Sequence, residues 1–256
     1  MMKKIILNGI ILLTINNLAY SQQINGEIIY KVSLNKSFTM MDKEKLKTMP
    51  PAYLDEIKRN IADLEQQIKS NINSIEMKLL FNNQEAVYTP IYGMDNEGDE
   101  GLETTMKIIG ATGTYYFNKV QNKKIYQTSA YGQLFLVESN LDTRQWVLTQ
   151  ETKTINNYLC YKATSTLVTK NSAGTFNKPI IAWYAPKLAI PFGPIGYSGL
   201  PGLIMELAEG DYIFYINKLT INLKNPYKIE RPTKGKIISE EEFEAIGLQS
   251  SPKFRN

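Results

Sequence analysis

The residue types behind most protein chemistry are scarce in this sequence. It contains no histidine and a single cysteine, Cys160. Without histidine there is no Ser-His-Asp or Cys-His nucleophile, no histidine-based zinc site, and no side chain whose ordinary pKa lies near neutrality. Cys160 falls in an alternating stretch, on the face shared by Tyr158 and Lys162. A lone thiol with no base beside it reads there as a small packing residue, and it has no partner for an internal disulfide. Residues 95–103 place carboxylates at alternating positions, as calcium loops do, but lack the glycine after the third ligand and carry Glu103 too early for the twelfth position. We read them as a solvated loop and expect no metal, no cofactor and no catalytic set. Two distant carboxylates could still serve a hydrolase, although nothing singles out a pair.

The most unusual stretch is residues 182–204. It runs Ala182-Trp183-Tyr184, then Gly193-Pro194, then Gly199-Leu200-Pro201-Gly202-Leu203-Ile204. The prolines restrict the chain, and Gly199 and Gly202 are free to take positive φ, so a stiff connection between two strands is expected. It serves as a structural corner or as the rim of a pocket. No Gly-Lys-Ser/Thr follows, so it is not a phosphate-binding P-loop. The hexapeptide resembles the signature of the GLPGLI family of exported proteins found in Bacteroidetes. The strand Thr154-Ile155-Asn156-Asn157-Tyr158-Leu159-Cys160-Tyr161-Lys162-Ala163-Thr164, with its Cys-x-Lys-Ala, is similar to that family too; Asn157 and Tyr197 depart from its commoner glycine and phenylalanine. The resemblance implies a β-rich fold and a periplasmic or extracellular location. It implies no reaction and carries over no catalytic residues.

The elements that must position these residues are mostly strands. Ile28, Tyr30, Val32 and Leu34 alternate with more polar neighbours, as do Ile75, Met77, Leu79 and Phe81. Further strands are expected at 86–89, 105–109, 113–119, 123–128, 133–139, 144–150, 158–168, 179–184, 203–208 and 212–223, with turn chemistry between many of them. One long helix is predicted from Leu54, Ile57, Ile61, Leu64 and Ile68, inside a helical insertion at about residues 43–72. A short helix over 240–246, capped by Ser239, closes the chain. The expected fold is mainly β: a curved antiparallel meander, half-barrel or barrel-like, with the long helix laid across it as a lid.

Residues 1–21 have the charged, apolar and small-residue order of a secretory signal peptide, which leaves 22–256 as one β-rich domain. The apolar run is too short for a membrane-spanning helix, so the mature chain is not expected to be an integral membrane protein. A formal charge of +4, half of it on Lys3 and Lys4, is too small a bias to argue for nucleic acid or anionic lipid, and no nucleic-acid partner is expected. These readings converge on an exported, non-enzymatic envelope protein that holds a hydrophobic small molecule or a segment of another envelope protein in a groove. Trp183, Tyr184, Phe192, Tyr197 and Leu200 are the expected lining. The alternatives are a scaffold that pairs through a sheet edge, and a carboxylate-dependent hydrolase.

Overall fold

The computed structural model describes residues 24–35, 38, 51–93, 98–141, 144–171 and 174–250; the expected signal peptide lies outside them. Twelve strands form one sheet: β1 Gly26–Leu34, β2 Glu76–Phe81, β3 Glu85–Ile91, β4 Thr114–Asn118, β5 Lys123–Ala130, β6 Gln133–Asn140, β7 Val147–Ile155, β8 Tyr158–Asn171, β9 Gly174–Ala185, β10 Leu203–Glu209, β11 Tyr212–Ile221 and β12 Lys236–Ser239. Their order across the sheet is β12-β6-β5-β4-β3-β2-β1-β11-β10-β9-β8-β7. Every pairing is antiparallel except β12 with β6. The chain meanders outward from β1 to β6, crosses to the far edge, and meanders back from β7 to β11.

That crossing dictates the shape. Only residues 141–146 separate β6 from β7, and they reach at most about 25 Å when fully extended. In a flat sheet the two strands would sit ten positions apart, about 48 Å. The sheet therefore curls until its two halves face each other, without closing: β7 pairs only with β8, and β12 only with β6. Ser198 Oγ donates to Leu141 O at 2.8 Å and Trp146 Nε1 donates to Ser198 O at 2.9 Å, so the crossing is pinned to the loop that fills the concave side.

One continuous hydrophobic cluster runs through the interior. Ile28, Tyr30, Leu79, Tyr88, Phe117, Ala182, Leu207 and Phe214 are fully buried, with Phe192 of the loop among them. Helix α1, Pro51–Asn71, inserts Ile68 into this core, and α2, Glu100–Ile108, adds Leu102 and Met106. α2 corrects the expected strand at 105–109. Thr105-Met106-Lys107-Ile108-Ile109 looks β-prone, but Leu102, Thr105, Met106 and Ile109 recur at helical spacing and are the buried residues. Asp99 caps the helix by accepting from the Leu102 amide at 2.9 Å, and Glu100 and Glu103 complement its dipole, so these carboxylates start a helix rather than line a solvated loop.

β12 was not expected from the sequence. It is reached by a long connection, residues 222–235, whose Ile229 covers an outer-face cluster of Tyr116, Ile125 and Leu136. It leads directly into α3, Glu240–Ser250, through a capping box in which Ser239 Oγ accepts from the Glu242 amide and Glu242 Oε2 from the Ser239 amide. No helix among the described residues is long and apolar enough to cross a membrane.

Candidate binding cleft

Where the two halves of the curled sheet approach each other, a cleft of about 260 Å³ remains on the concave side. Alternation on the strands decides which side chains reach it. Register pairs Tyr115 with Tyr126 and Tyr126 with Val137, so these residues of β4, β5 and β6 share the inner face, and Lys124 and Ser139 follow at the next inward positions. Glu209 arrives from β10, Ile195 to Tyr197 from the loop, and Glu240, Phe243 and Glu244 from α3. The β12 pairing and its capping box are thus what hang α3 over the cleft; α1, the expected lid, does not line it.

Tyr115 and Tyr126 stack with ring centroids 4.2 Å apart and planes 10° from parallel. The Tyr197 hydroxyl donates to Glu209 Oε2 at 2.6 Å, and the Arg144 guanidinium lies 4.4 Å from the centre of the Tyr197 ring. Lys124 Nζ is 3.8 Å from Glu240 Oε1, beyond hydrogen-bond reach, with its side chain only 14% exposed. Burial holds Lys124 below the usual lysine pKa, with Arg144 adding to the shift and Glu240 opposing it. Burial, then the neighbouring Glu209 carboxylate, pushes the Tyr197 phenol up. Arg144 makes no ion pair among the described residues and Lys124 has only the long contact to Glu240, so both cations keep N–H donors for a ligand. A planar fork and a desolvated ammonium side by side are suited to an oxyanion, above all a carboxylate.

The loop is held in a costly conformation here. Ile195 adopts φ 43°, ψ 41° within Pro194–Gly196, a left-handed geometry that a β-branched residue takes at a cost of about 1–3 kcal/mol. Gly196 follows at φ 84°, with a Cβ there 2.7 Å from the Tyr115 ring. Beneath them lies the fully buried Tyr88, whose hydroxyl is approached by the Ile195 backbone without reaching full hydrogen-bond geometry. Such tension at the lip of a cleft is typical of binding loops.

Of the five expected lining residues, only Tyr197 lies in this cleft. Tyr184 is buried against Tyr161, Phe192 packs on Phe117 with centroids 5.4 Å apart, and Leu200 is buried in the same core. Trp183 faces the opposite side of the sheet from Tyr184, half-buried, with Lys153 Nζ 4.5 Å from its ring and Lys153 bonded to Glu206 at 2.7 Å. In the hexapeptide, Gly199 takes φ 87°, but Gly202 does not use positive φ: a Cβ there would run into the Ala185 carbonyl. Leu203 N–H bonds Leu188 O at 2.9 Å and Ile204 O accepts from the Tyr30 hydroxyl at 2.7 Å, tying the signature to the central strand. Cys160 is buried, and burial pushes its thiol up, away from nucleophile chemistry.

The cleft's charged residues escaped the sequence reading. Lys124 sits beside Ile125, whose apolar side chain suggests the buried face; Ile125 instead points outward into the Ile229 cluster. Arg144 falls before β7, which begins at Val147 rather than at 144. The one available signal was the alternation of Lys124, Tyr126 and Thr128 read as the inner face.

A family model described as "Protein of unknown function (Porph_ging)" matches residues 173–206, from the start of β9 into β10. Two solved structures are similar in part: "Structure of PNGF-II in C2 space group", with TM-score 0.49, 14% identity and coverage of 89% of this chain and 33% of that one, and "Structure of PNGF-II in P21 space group", with TM-score 0.48, 13% identity and the same coverages. This chain thus spans a third of the length of either. No curated protein matches it.

Proposed function

We propose that the protein is a non-catalytic binding protein of the bacterial cell envelope, exported by a leader in residues 1–21, whose curled sheet captures a carboxylate-bearing ligand. The observation that carries this reading is the largely buried Lys124 with the half-buried Arg144 near it at one cleft, neither of them hydrogen-bonded among the described residues. The leader-like N-terminus and the GLPGLI resemblance support the location. A purely hydrophobic ligand would leave the charged groups unmatched: Phe192, Phe117 and Phe214 fill the concave interior, and the remaining space sets Val137, Leu167 and Phe243 beside charged and hydroxyl groups. Glu209 and Glu240 line the cleft from different elements, the single feature favouring a carboxylate-dependent hydrolase, but Glu209 is engaged by Tyr197.

The test is NMR titration of the purified protein with N-acetyl-leucine and with its uncharged amide, with inorganic phosphate as a second anion. The expected result is saturable shifts around Arg144 and Tyr197 with the carboxylate, absent with the amide and weakened at least about 10-fold by Arg144→Gln. Phosphate binding more tightly than the carboxylate would replace the ligand class. No saturable shift at the cleft up to about 50 mM of any probe would overturn the proposal.

A further inference from the structure

The cleft opens into a wider groove of about 510 Å³ that shares Arg144, Leu167, Glu240 and Glu244 with it and runs between α3 and β8. β8 is paired with β9 along Tyr161 to Asn171 on one side. On the other side β7 accompanies it only as far as Thr164, which faces Val147. From Ser165 to Asn171 that edge meets no strand among the described residues, and Ser165 to Val168 form one wall of the groove. An unpaired strand edge is a row of backbone donors and acceptors that an extended chain can complete.

Chain polarity decides what such a visitor brings to the cations. β7 is antiparallel to β8, and Gln145 lies beside Ser165, whose Oγ donates to Gln145 O at 2.8 Å. A strand added in line with β7, also antiparallel to β8, enters at the Asn171 end and finishes at Thr166, next to Gln145 and Arg144. Its C-terminal carboxylate arrives where the unfilled donors are. Glu240 and Glu244 line the same groove, so a parallel strand bringing its ammonium there is the competing arrangement, which the comparison of free acid with amide separates from this one. Alternate side chains of the visitor would share the inner face with Leu167, toward Phe243 of α3, while the others stand out beside the exposed Val168.

We propose that the groove captures the C-terminal segment of a partner protein as an antiparallel strand added to β8 from Thr166 to Asn171, its terminal carboxylate held by Arg144 and Lys124. This rests on the carboxylate reading of the cleft and adds the identity of the ligand as an extended polypeptide end. About five to seven partner residues are read, mainly through their backbone, with a preference for apolar side chains at every second position.

The test uses the purified protein and an N-acetylated hexapeptide of alternating threonine and valine with a free C-terminus, followed by calorimetry. The peptide is compared with its C-terminal amide and with a set of six variants, each N-methylated at one backbone nitrogen. The expected result is a loss of at least about 10-fold for the amide, and an alternating pattern in the methyl series: positions whose N–H faces β8 lose about 10-fold or more, those between lose less than about 2-fold. If the free carboxylate matters but every N-methyl variant binds equally, strand addition is overturned and carboxylate capture stands. Strand addition is likewise overturned if N-acetyl-leucine occupies the cleft and the hexapeptide does not bind. If the amide binds as well as the acid, both readings fall.

Discussion

The hydroxyl of Tyr197 donates a 2.6 Å hydrogen bond to the carboxylate of Glu209. The bond ties the loop between β9 and β10 to the last residue of β10, across the mouth of the cleft, and presents the ring face to Arg144. The loop's most constrained stretch, Ile195 to Tyr197, is thereby fixed at the position where the two halves of the sheet meet. Glu209, in turn, is kept turned toward Tyr197.

Tyr197→Phe keeps the ring under Arg144 but leaves Glu209 without its donor. We expect a loss of about 1–3 kcal/mol, read by thermal denaturation as a fall of roughly 2–12 °C. Carboxylate affinity should fall as well, because the released Glu209 becomes free to pair with Arg144. Unchanged melting would show that the hydrogen bond contributes nothing net.

Lys124 is a cation held where the fold disfavours charge. Replacing it with methionine should raise stability by about 1 kcal/mol while weakening carboxylate binding, a trade expected of a residue kept for function. The pH dependence follows from the direction of its shift. With a folded pKa below the unfolded one, the unfolded chain holds the extra proton between the two values, so this residue makes stability rise with pH through that window. Tyr30, Tyr88, Tyr115 and Tyr197 act in the opposite sense: burial raises each, so their contribution is complete below about pH 10, the ordinary tyrosine value, and is lost above it. Cys160, also raised by burial, acts in that same falling sense from about pH 8.5, so urea denaturation between about pH 7 and 11 should end in a steep fall, and Lys124→Met should make the slope leading to it more negative.

Gly202→Ala drives a methyl group into the Ala185 carbonyl, in backbone that is itself paired between β9 and β10. A cost of about 3 kcal/mol or more is expected, lowering the melting temperature by at least roughly 6 °C. Gly110→Ala provides a comparison at a glycine with open space around its Cβ position and φ 69°, where only local backbone strain enters.

Phe192 and Trp183 separate packing from binding. Phe192→Ala empties a fully buried site against Phe117 and should cost about 3–5 kcal/mol. Trp183→Ala, on the opposite face of the sheet, removes a stacking partner of Lys153 and should leave carboxylate affinity within about 2-fold of the parent. A loss of binding in a folded Trp183→Ala protein would move the site to the outer face.

Much of the architecture could be read from periodicity because most strands bury one face only. β1 and β2 alternate cleanly, since Ile28, Tyr30 and Val32 and then Met77, Leu79 and Phe81 all point into one core. The misread stretch, 105–109, has no such contrast, and its helical identity depends on Asp99 and Leu102 upstream. The curl of the sheet was hidden in a length rather than a pattern: residues 141–146 are too few to cross a flat sheet. The cleft was less legible than the fold because its chemistry is assembled from β5, the crossing, β10 and α3, which only the curl brings together. The Gly-Pro segment stood out because stiffness needs particular residues locally, whereas Arg144 and Lys124 are ordinary surface residue types whose burial is a tertiary fact. Aromatic side chains near the signature suggested a lining, yet Phe192 and Leu200 serve to fill the interior beneath it.

Recognition of a carboxylate by Arg144 can be read from a double-mutant cycle. Calorimetry would give the affinities of N-acetyl-leucine and its amide for the parent protein and for Arg144→Gln. The expected coupling between the guanidinium and the carboxylate is at least about 1.5 kcal/mol, so that either change alone removes most of the affinity and the second adds little. Additive losses, with coupling near zero, would contradict it.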